Sequence, residues 1–545
     1  MMLNGKDEQK MMKKLKSSSD TKFNADMIGF NINEINQITS KALFESLDIN
    51  GNNEITKKDI LDALKSKGIL KDDPRIKETV QKLKQFTDTD LIDVFKFHDI
   101  IFQNITLVER ALKGDLIIPD FRSFSTIVTS VFESVRSNMS GAVADYIPQL
   151  ARVNPEKYAI SICTVDGQRL NIGDYCDPYC VQSTCKPINY GIALDVLGED
   201  KTHKHVGREP SGRGFNELTL NKDGLPHNPM INAGAIMTSA LIRSDLDVSD
   251  RFDYVLDKWQ SLSGDVRPGF NNAVYLSEKH TADRNFALGY FMREKNAFPE
   301  GTDLHEILEF YFQCCSIELT CSAHASVAGT LANAGICPIT RERIFSAETT
   351  KHCLSLMYSS GMYDFSGEFA FTVGLPAKSG VSGALVLVVP GVCGITIWSP
   401  NLDGYGNSVR AVEIAQKLVE EFNFHNYDSL IENIQKKDPR VQKNDDKLKG
   451  VMMANFAASQ GDLNEIKSLD AKGVDLDEAD YDGRTPIHVA ASDGHLNIVE
   501  FFVSSGKVLN PKDRWGGTPL SDAEKHEHKD IVTLLKKSIK KLEVK

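Results

Sequence analysis

QSTCKPINYGIALDVLG, residues 182–198, begins as a polar stretch and ends as an apolar helix. Ser183 and Lys186 lie three residues apart where the two parts meet, and Pro187 follows directly. Proline favours the first turn of a helix, where its missing N–H costs nothing. The stretch therefore predicts a helix over Lys186–Leu197, with Ser183 at or near its N-cap.

A serine and a lysine so placed can act as an acyl-transferring nucleophile and its base. The lysine must be desolvated, so that its amine is neutral enough to accept a proton. A strand bearing Lys-Ser/Thr-Gly usually closes such a site, and Lys378-Ser379-Gly380 leads directly into the predicted strand GALVLVV. The same Ser-Lys spacing recurs at Ser19 and Ser504, so a helix cap without chemistry remains an alternative for Ser183.

The composition excludes some classes of protein. The chain has 545 residues, a formal net charge of −12 and a pI of about 5.6, whereas a nucleic-acid binder needs a basic surface. No uninterrupted apolar run is long enough to predict a transmembrane helix. The ten cysteines, without a signal peptide, are predicted to be reduced and mostly buried, and the spacing of Cys176, Cys180 and Cys185 fits a zinc site poorly. We therefore expect no metal.

The length predicts about three domains. In the central region, AISICTVDGQRLNIG predicts a hairpin turned at Asp166-Gly167, and GALVLVV with VCGITIW predicts a second turned at Pro390-Gly391. Helical segments between the hairpins indicate an α+β domain, with one antiparallel sheet packed on a helical cluster. The predicted regions are a disordered tail (1–30), a helical EF-hand-like domain (31–135), the α+β domain (136–430), a charged linker (431–450) and ankyrin repeats (451–540).

The two flanking domains have their own signatures. DINGNNEITKKD, Asp48–Asp59, resembles an EF-hand loop, but Asn53 replaces the usual glycine and Asp59 replaces the bidentate glutamate. The sequence leaves calcium binding open, with a degenerate helix-loop-helix as the alternative. Towards the C-terminus, Thr485 and Thr518 mark a repeat of 33 residues, the ankyrin period. This module predicts binding of a protein partner, which the sequence does not identify.

Several central motifs together resemble the animal phosphate-activated glutaminases of the kidney/liver type. The resemblance implies a serine β-lactamase-like fold that hydrolyses L-glutamine to L-glutamate and ammonia without metal or organic cofactor. The alternatives are another serine amidohydrolase of this fold and a catalytically dead ankyrin scaffold. The motifs that carry the resemblance are VADYIPQLARVNP, CTVDGQRLNIGD, QSTCKP, VGREPSGRGFNEL, PHNPMINAGAI, SEKHTADRNFALGYF, FPEGTDLHEILEFYFQCCSIELT, GMYDFSGEFAFTVGLPAKSGVSG and FHNYDSL.

The resemblance also implies roles for particular residues. Ser183 is the nucleophile, Lys186 its base, and Tyr311 and Tyr363 are phenols beside the nucleophile that relay a proton or orient the amide. The backbone N–H of Val381, with that of Ser183, forms the oxyanion hole. The residues implied to bind substrate are Tyr146, Ser183, Asn232, Glu278, Asn285, Tyr311, Tyr363 and Val381.

Three further expectations come from the resemblance. Inorganic phosphate is an activator, a loop matching Glu209–Pro229 gates the site, and the chain forms homo-oligomers (dimers, tetramers and filaments). Thr219 stands in this loop, so the same response to phosphate is not assumed. The resemblance implies a mitochondrial location, but the N-terminus lacks arginine and is a poor transit peptide, so a cytoplasmic location is the alternative.

Overall fold

The computed structural model describes residues 32–48, 50–212, 217–430, 436–441, 443–471 and 474–543. The predicted disordered tail lies outside the described residues, as does part of the predicted linker. The described chain divides into two units, and each has its own contacts. The first unit contains the described residues within Met1–Lys65 and Leu70–Lys113, and the second contains those within Ser66–Ile69 and Gly114–Lys545.

The first unit is helical, as the apolar spacing predicted. Its two short strands pair antiparallel, with Ile55 opposite Ile92. The elements are α1 (Ile32–Leu47), β1 (Ile55–Thr56), α2 (Lys57–Ser66), α3 (Lys77–Leu83), β2 (Leu91–Ile92), α4 (Val94–Ile101) and α5 (Ile105–Lys113).

The loop between α1 and α2 has the turn geometry of an EF-hand. Asn53 has φ +58°, so it takes the left-handed conformation that glycine usually supplies. The Asp48 carboxylate accepts the backbone N–H of Asn53 at 2.7 Å, and the Asp59 carboxylate accepts that of Thr56 at 2.8 Å. Calcium binding by this loop stays an open hypothesis.

The second unit contains a five-stranded antiparallel sheet. Both predicted hairpins are confirmed: Gly167 and Gly391 occupy their turns with φ +86° and +74°. The spatial order is β4-β3-β10-β9-β8, and a smaller sheet has the order β5-β7-β6. The strands are β3 (Ala159–Thr164), β4 (Arg169–Gly173), β5 (Pro178–Cys180), β6 (Gly269–Phe270), β7 (Ile317–Thr320), β8 (Ala377–Gly380), β9 (Ala384–Val389) and β10 (Cys393–Trp398).

Helices cover both faces of the five-stranded sheet. The helices around it, in chain order, are α6 (Phe121–Val135), α7 (Pro148–Ala151), α8 (Lys186–Leu197), α9 (Glu199–Thr202), α10 (Asn232–Leu241), α11 (Val248–Leu262), α12 (Asn272–His280), α13 (Asp283–Glu294), α14 (Leu304–Cys315), α15 (Cys321–Ala332), α16 (Ala347–Ser360), α17 (Ser366–Thr372) and α18 (Val409–Glu421).

The two faces bury different sets of residues. On one face α15 approaches β10 so closely that a Cβ on Gly394 would lie 2.1 Å from the backbone nitrogen of Gly329. On the other face, Leu385 and Leu387 of β9 pack with apolar residues of α6 and α18. Helix α6, which the apolar spacing grouped with the N-terminal helical domain, therefore packs on this sheet, because Phe124 and its neighbours find their apolar partners there.

The C-terminal part of the second unit has the predicted ankyrin pattern of paired helices. Thr485 and Thr518 are the N-caps of α21 and α23, each followed by a proline in the first turn. Its helices are α19 (Lys443–Gln460), α20 (Leu463–Ala471), α21 (Pro486–Asp493), α22 (Leu496–Ser504), α23 (Pro519–Lys525) and α24 (Lys529–Glu543).

Two predictions about the whole chain concern cysteines and membranes. All ten cysteines fall within the described residues and are free thiols, and all except Cys176 are buried. Among the described residues, no helix combines the length and the apolar character that crossing a bilayer requires.

Candidate active site

Ser183 lies in a tight 3-10 turn, Gln182–Cys185, that runs directly into α8. Ser183 therefore lies near the start of the helix, as predicted, but two residues before the N-cap. The cap residue of α8 is Cys185, which makes no side-chain cap bond, and the Ser183 hydroxyl instead accepts a hydrogen bond from Lys186. Gln182 has φ +49°, an unfavourable conformation for a residue with a side chain, and such strain is common at functional sites.

Lys186 is fully buried, with 0% of its surface exposed. Its Nζ donates to the Ser183 Oγ at 2.9 Å and to the Asn232 Oδ1 at 2.7 Å. Burial lowers the pKa of this amine below its usual range, because the charged form loses its hydration. The structure thus brings together the serine and the desolvated lysine that acyl transfer requires.

Lys378-Ser379-Gly380 leads into a strand, β9, as predicted, and it also belongs to a strand of its own, β8, which pairs with β9. Gly380 lies against the turn that carries Ser183. A Cβ at this position would meet the backbone oxygen of Val181 at 3.0 Å and the Cγ2 of Thr184 at 3.1 Å. Glycine therefore lets the edge strand approach the nucleophile's turn.

We expect Gly380→Ala to lower kcat for the reaction proposed below by about 100-fold, because small displacements of reacting groups have effects of that size. The added methyl group must push the turn that carries Ser183 away from β8. Gly404→Ala is the matched control, since a Cβ there meets nothing within 4 Å. Steady-state kinetics of both variants check the prediction, and equal kcat in the two would contradict it.

Glu278 is a buried carboxylate, and its neighbours orient it. The Tyr146 hydroxyl donates to its Oε1 at 2.6 Å, and the Gln182 side-chain amide donates to the same oxygen at 3.1 Å. Burial raises the pKa of Glu278, while the hydrogen bonds from Tyr146 and Gln182 and the charge of Lys186 act in the opposite direction. The pKa of Glu278 is raised overall because burial is the larger effect, and these three neighbours favour the charged carboxylate that pairs with a cationic ligand.

The sequence reasoning missed Gln182 as a site residue. The available signal was its place directly before Ser183 in QSTCK. Its side-chain amide contacts Glu278, so Gln182 links the nucleophile's turn to the carboxylate.

The predicted amide side chains are hydrogen-bonded to one another beside Lys186. The Asn232 Nδ2 donates to the Asn285 Oδ1 at 3.4 Å, and the Tyr311 hydroxyl donates to the Asn232 Oδ1 at 3.5 Å. Tyr311 is buried on α14. The structure thus connects Asn232, Asn285 and Tyr311 to the Ser183–Lys186 pair through hydrogen bonds.

Tyr363 and Val381 complete the set of predicted residues. Tyr363 is buried, and its hydroxyl donates to the backbone oxygen of Ser379 at 3.1 Å. Burial raises the pKa of this phenol, and the neighbouring Ser183 side chain acts in the opposite direction. Val381 follows β8 directly and packs against a small apolar cluster that includes Cys180.

Tyr363 also lines a cavity of about 560 Å³. The cavity continues to Ser211 and Gly212 of the loop that was expected to gate the site, and to Asn228 at the other end of that loop. Of the predicted site residues, Tyr363 alone is among those that line this cavity.

Comparisons with known proteins identify the family of each part of the chain. The model of the glutaminase family matches residues 141–427, an EF-hand domain matches 39–119, and ankyrin repeats match 454–545. The liver isoform of mitochondrial glutaminase from Rattus norvegicus is 47% identical over 431 residues, which cover 78% of this chain and 72% of the relative. Putative glutaminase 3 of Caenorhabditis elegans is 47% identical over 440 residues, 78% of this chain and 75% of the relative.

Solved structures show the same relationship. The probable glutaminase ybaS superposes with a TM-score of 0.53 at 33% sequence identity, covering 55% of this chain and 97% of that one. The fold class predicted from the sequence is thus confirmed: a glutaminase fold of the β-lactamase-like type, an EF-hand domain and ankyrin repeats. The chain belongs to the glutaminase family, the amidohydrolases that hydrolyse glutamine.

Proposed function

We propose that the chain hydrolyses L-glutamine through a glutamyl ester on Ser183. The observation that carries the proposal is the 2.9 Å hydrogen bond from the buried Lys186 amine to the Ser183 hydroxyl. A lysine whose pKa is lowered by burial has a larger neutral fraction near neutral pH, and only the neutral amine accepts a proton. Ser183 itself remains partly exposed, so a substrate can reach it.

The reaction then proceeds in two balanced halves. The Ser183 oxygen attacks the side-chain amide carbon of glutamine, and Lys186 takes the hydroxyl proton. The tetrahedral intermediate collapses when Lys186 returns this proton to the amide nitrogen, with the Tyr363 hydroxyl beside Ser183 orienting the group, and ammonia leaves. Water attacks the resulting ester, Lys186 accepts a proton from it, and glutamate is released as Ser183 regains its proton.

The carbonyl oxygen of the substrate becomes negatively charged in the tetrahedral intermediate and requires hydrogen-bond donors. We assign this role to the backbone N–H groups of Ser183 and Val381, because Val381 directly follows Gly380, which lies against the turn that carries the nucleophile. Each such donor typically lowers the barrier by about 2.7–4 kcal/mol.

The remaining residues suit the two charges of a free amino acid. The Glu278 carboxylate pairs with the ammonium group of glutamine, and Tyr146 and Gln182 hold it in place. The side-chain amides of Asn232 and Asn285 donate to the substrate carboxylate. This set favours a zwitterionic substrate over a β-lactam or a peptide, the alternative within this fold.

We expect Glu278→Gln to raise KM for glutamine by about 100-fold or more, because truncating one partner of a buried charge pair costs 2–5 kcal/mol. The change keeps the shape and an acceptor for Tyr146 but removes the charge. Glu309→Gln is the matched control: Glu309 accepts from the Tyr275 hydroxyl at 3.3 Å and pairs with Lys279. Initial rates over a range of glutamine concentrations test this, and an unchanged KM would remove Glu278 from substrate binding.

The proposal is tested by ammonia release from glutamine by the purified full chain, with and without phosphate. Asparagine and a chromogenic cephalosporin serve as comparison substrates. We expect turnover of glutamine well above either comparison. Inactivity at every phosphate concentration would refute the proposal, and preferred turnover of the cephalosporin would favour the alternative.

Four further proposals accompany this function. The enzyme needs no metal or organic cofactor, since serine and lysine supply the nucleophile and the base, and inorganic phosphate is its activator. The chain assembles into dimers and tetramers. It resides in mitochondria, a proposal supported by relatives that carry that location in their names. Chelator treatment, phosphate titration, sedimentation and imaging of a tagged chain test these proposals in turn.

A further inference from the structure

Lys378 is a buried lysine that the proposed reaction does not use. None of its surface is exposed, and its Nζ donates to two backbone oxygens, that of Gly361 at 3.1 Å and that of Ser379 at 2.7 Å. Among the described residues, no carboxylate forms an ion pair with it. Burying an amine without an ion-pair partner lowers the stability of the folded protein. We therefore expect Lys378 to have a functional role.

The amine of Lys378 lies over the aromatic ring of Tyr363. Its Nζ lies 4.5 Å from the centroid of the Tyr363 ring. The Tyr363 hydroxyl donates to the backbone oxygen of Ser379, and this oxygen also accepts the Lys378 amine. Lys378 and Tyr363 therefore share one acceptor on β8, and the lysine covers one face of the phenol.

The backbone around Tyr363 requires support. Tyr363 has φ +55°, which is unfavourable for a residue with a large side chain and persists only where the surroundings hold it. Lys378 connects this strained segment to β8, because its amine donates to Gly361, two residues before Tyr363, and to the Ser379 oxygen that also accepts the Tyr363 hydroxyl. The backbone N–H of Ser379 also donates to the Gly361 oxygen at 3.1 Å.

The chemistry of the amine fits a fixed support better than a proton acceptor. Burial and the nearby charge of Lys186 lower its pKa well below the usual range. A neutral amine has two N–H bonds, and the two backbone oxygens accept both. Lys186, by contrast, holds the hydrogen bond to Ser183.

We propose that Lys378 is a positioning residue that holds the Tyr363 hydroxyl beside Ser183 by tying the turn at Gly361 to strand β8. The inference rests on the proposed function, in which Tyr363 orients the reacting amide. It predicts that removing the amine affects the rate only as long as the Tyr363 hydroxyl is present.

A double-mutant cycle in the full chain tests this, with Lys378→Met, Tyr363→Phe and both together. We expect Lys378→Met to lower kcat about 100-fold while KM for glutamine changes less than about threefold, since the amino-acid contacts lie elsewhere. In the Tyr363→Phe background the same substitution should lower kcat by no more than about twofold. If the two single substitutions lowered kcat independently, so that their effects multiply in the double variant, the proposal would be wrong. A Lys378→Met variant that changes KM and leaves kcat unaltered would also overturn it.

Two further variants separate positioning from folding. Arg410→Met is a matched control, because Arg410 is buried, donates to backbone oxygens including that of Lys157, and lies 4.3 Å from the centroid of the Tyr158 ring. Its loss should lower the melting temperature without lowering kcat. Lys378→Gln retains two N–H donors and should keep more kcat than Lys378→Met, whereas equal losses would count against the proposal.

The same assays keep the two proposals apart. A wild-type chain that releases no ammonia from glutamine refutes the proposed function. An active wild type whose Lys378→Met and Tyr363→Phe losses multiply leaves that function intact and refutes the role of Lys378.

Discussion

Ser183→Ala is expected to reduce glutamine hydrolysis by about 10⁴- to 10⁶-fold, because removing the nucleophile of a serine acyl-enzyme can lower kcat by about 10⁶-fold. The residual rate would come from the oxyanion donors and substrate binding alone. The fold should survive, because the Ser183 hydroxyl accepts from Lys186 but caps no helix. Ammonia release measures the loss, and the melting temperature establishes that the variant is folded.

The chain supplies a matched control for this variant. Ser504 and Lys507 have the same spacing as Ser183 and Lys186, yet Ser504 donates to the backbone oxygen of Phe501, and Lys507 pairs with Asp470 at 2.7 Å. Ser504→Ala should therefore keep full activity. Mass spectrometry of rapidly quenched wild type should find the glutamyl group on the peptide that contains Ser183. Activity of Ser183→Ala within tenfold of wild type would eliminate the acyl-enzyme mechanism.

The fold was predictable where the local pattern and the tertiary contacts agree. The turns at Asp166-Gly167 and Pro390-Gly391 lie between apolar runs, and the structure has hairpins at both positions. The limits of α8 were also predictable, because Pro187 and the apolar run that follows it favour a helix in that sequence alone. The position of α6 was not predictable in this way, because its apolar face is compatible with packing on the N-terminal helical domain or on the five-stranded sheet. Tertiary contacts place it on the sheet.

The site was less accessible to local reasoning. The Ser-Lys spacing recurs at Ser504, so what distinguishes Ser183 is the burial of Lys186 and the approach of Gly380, and both depend on residues distant in sequence. The positive φ of Tyr363 could not be predicted from its residue type, because only tertiary packing stabilises it.

Lys186→Met is expected to lower activity by about 10³-fold or more, since no base then takes the proton from Ser183. The same change should not destabilise the protein. In the unfolded chain Lys186 has its ordinary pKa of 10.5, and burial lowers this pKa in the folded state. At pH values between the folded and the unfolded pKa, the unfolded chain binds a proton at Lys186 that the folded chain does not. Wild-type stability then rises with pH across this window and is lowest below the folded pKa. Methionine has similar volume and no charge to bury, so its melting temperature near neutral pH should equal or exceed that of wild type.

Lys186→Arg separates the two effects, because a guanidinium stays protonated in proteins. It should be as inactive as Lys186→Met but less stable. Lys507→Met, at the equivalent position of the ankyrin pair, should leave activity unchanged. In wild type, kcat/KM should rise with pH through the folded pKa of Lys186, and Lys186→Arg should lose this rise. Activity in Lys186→Met with the wild-type pH profile would assign the base to another group and leave Lys186 a structural part of the site.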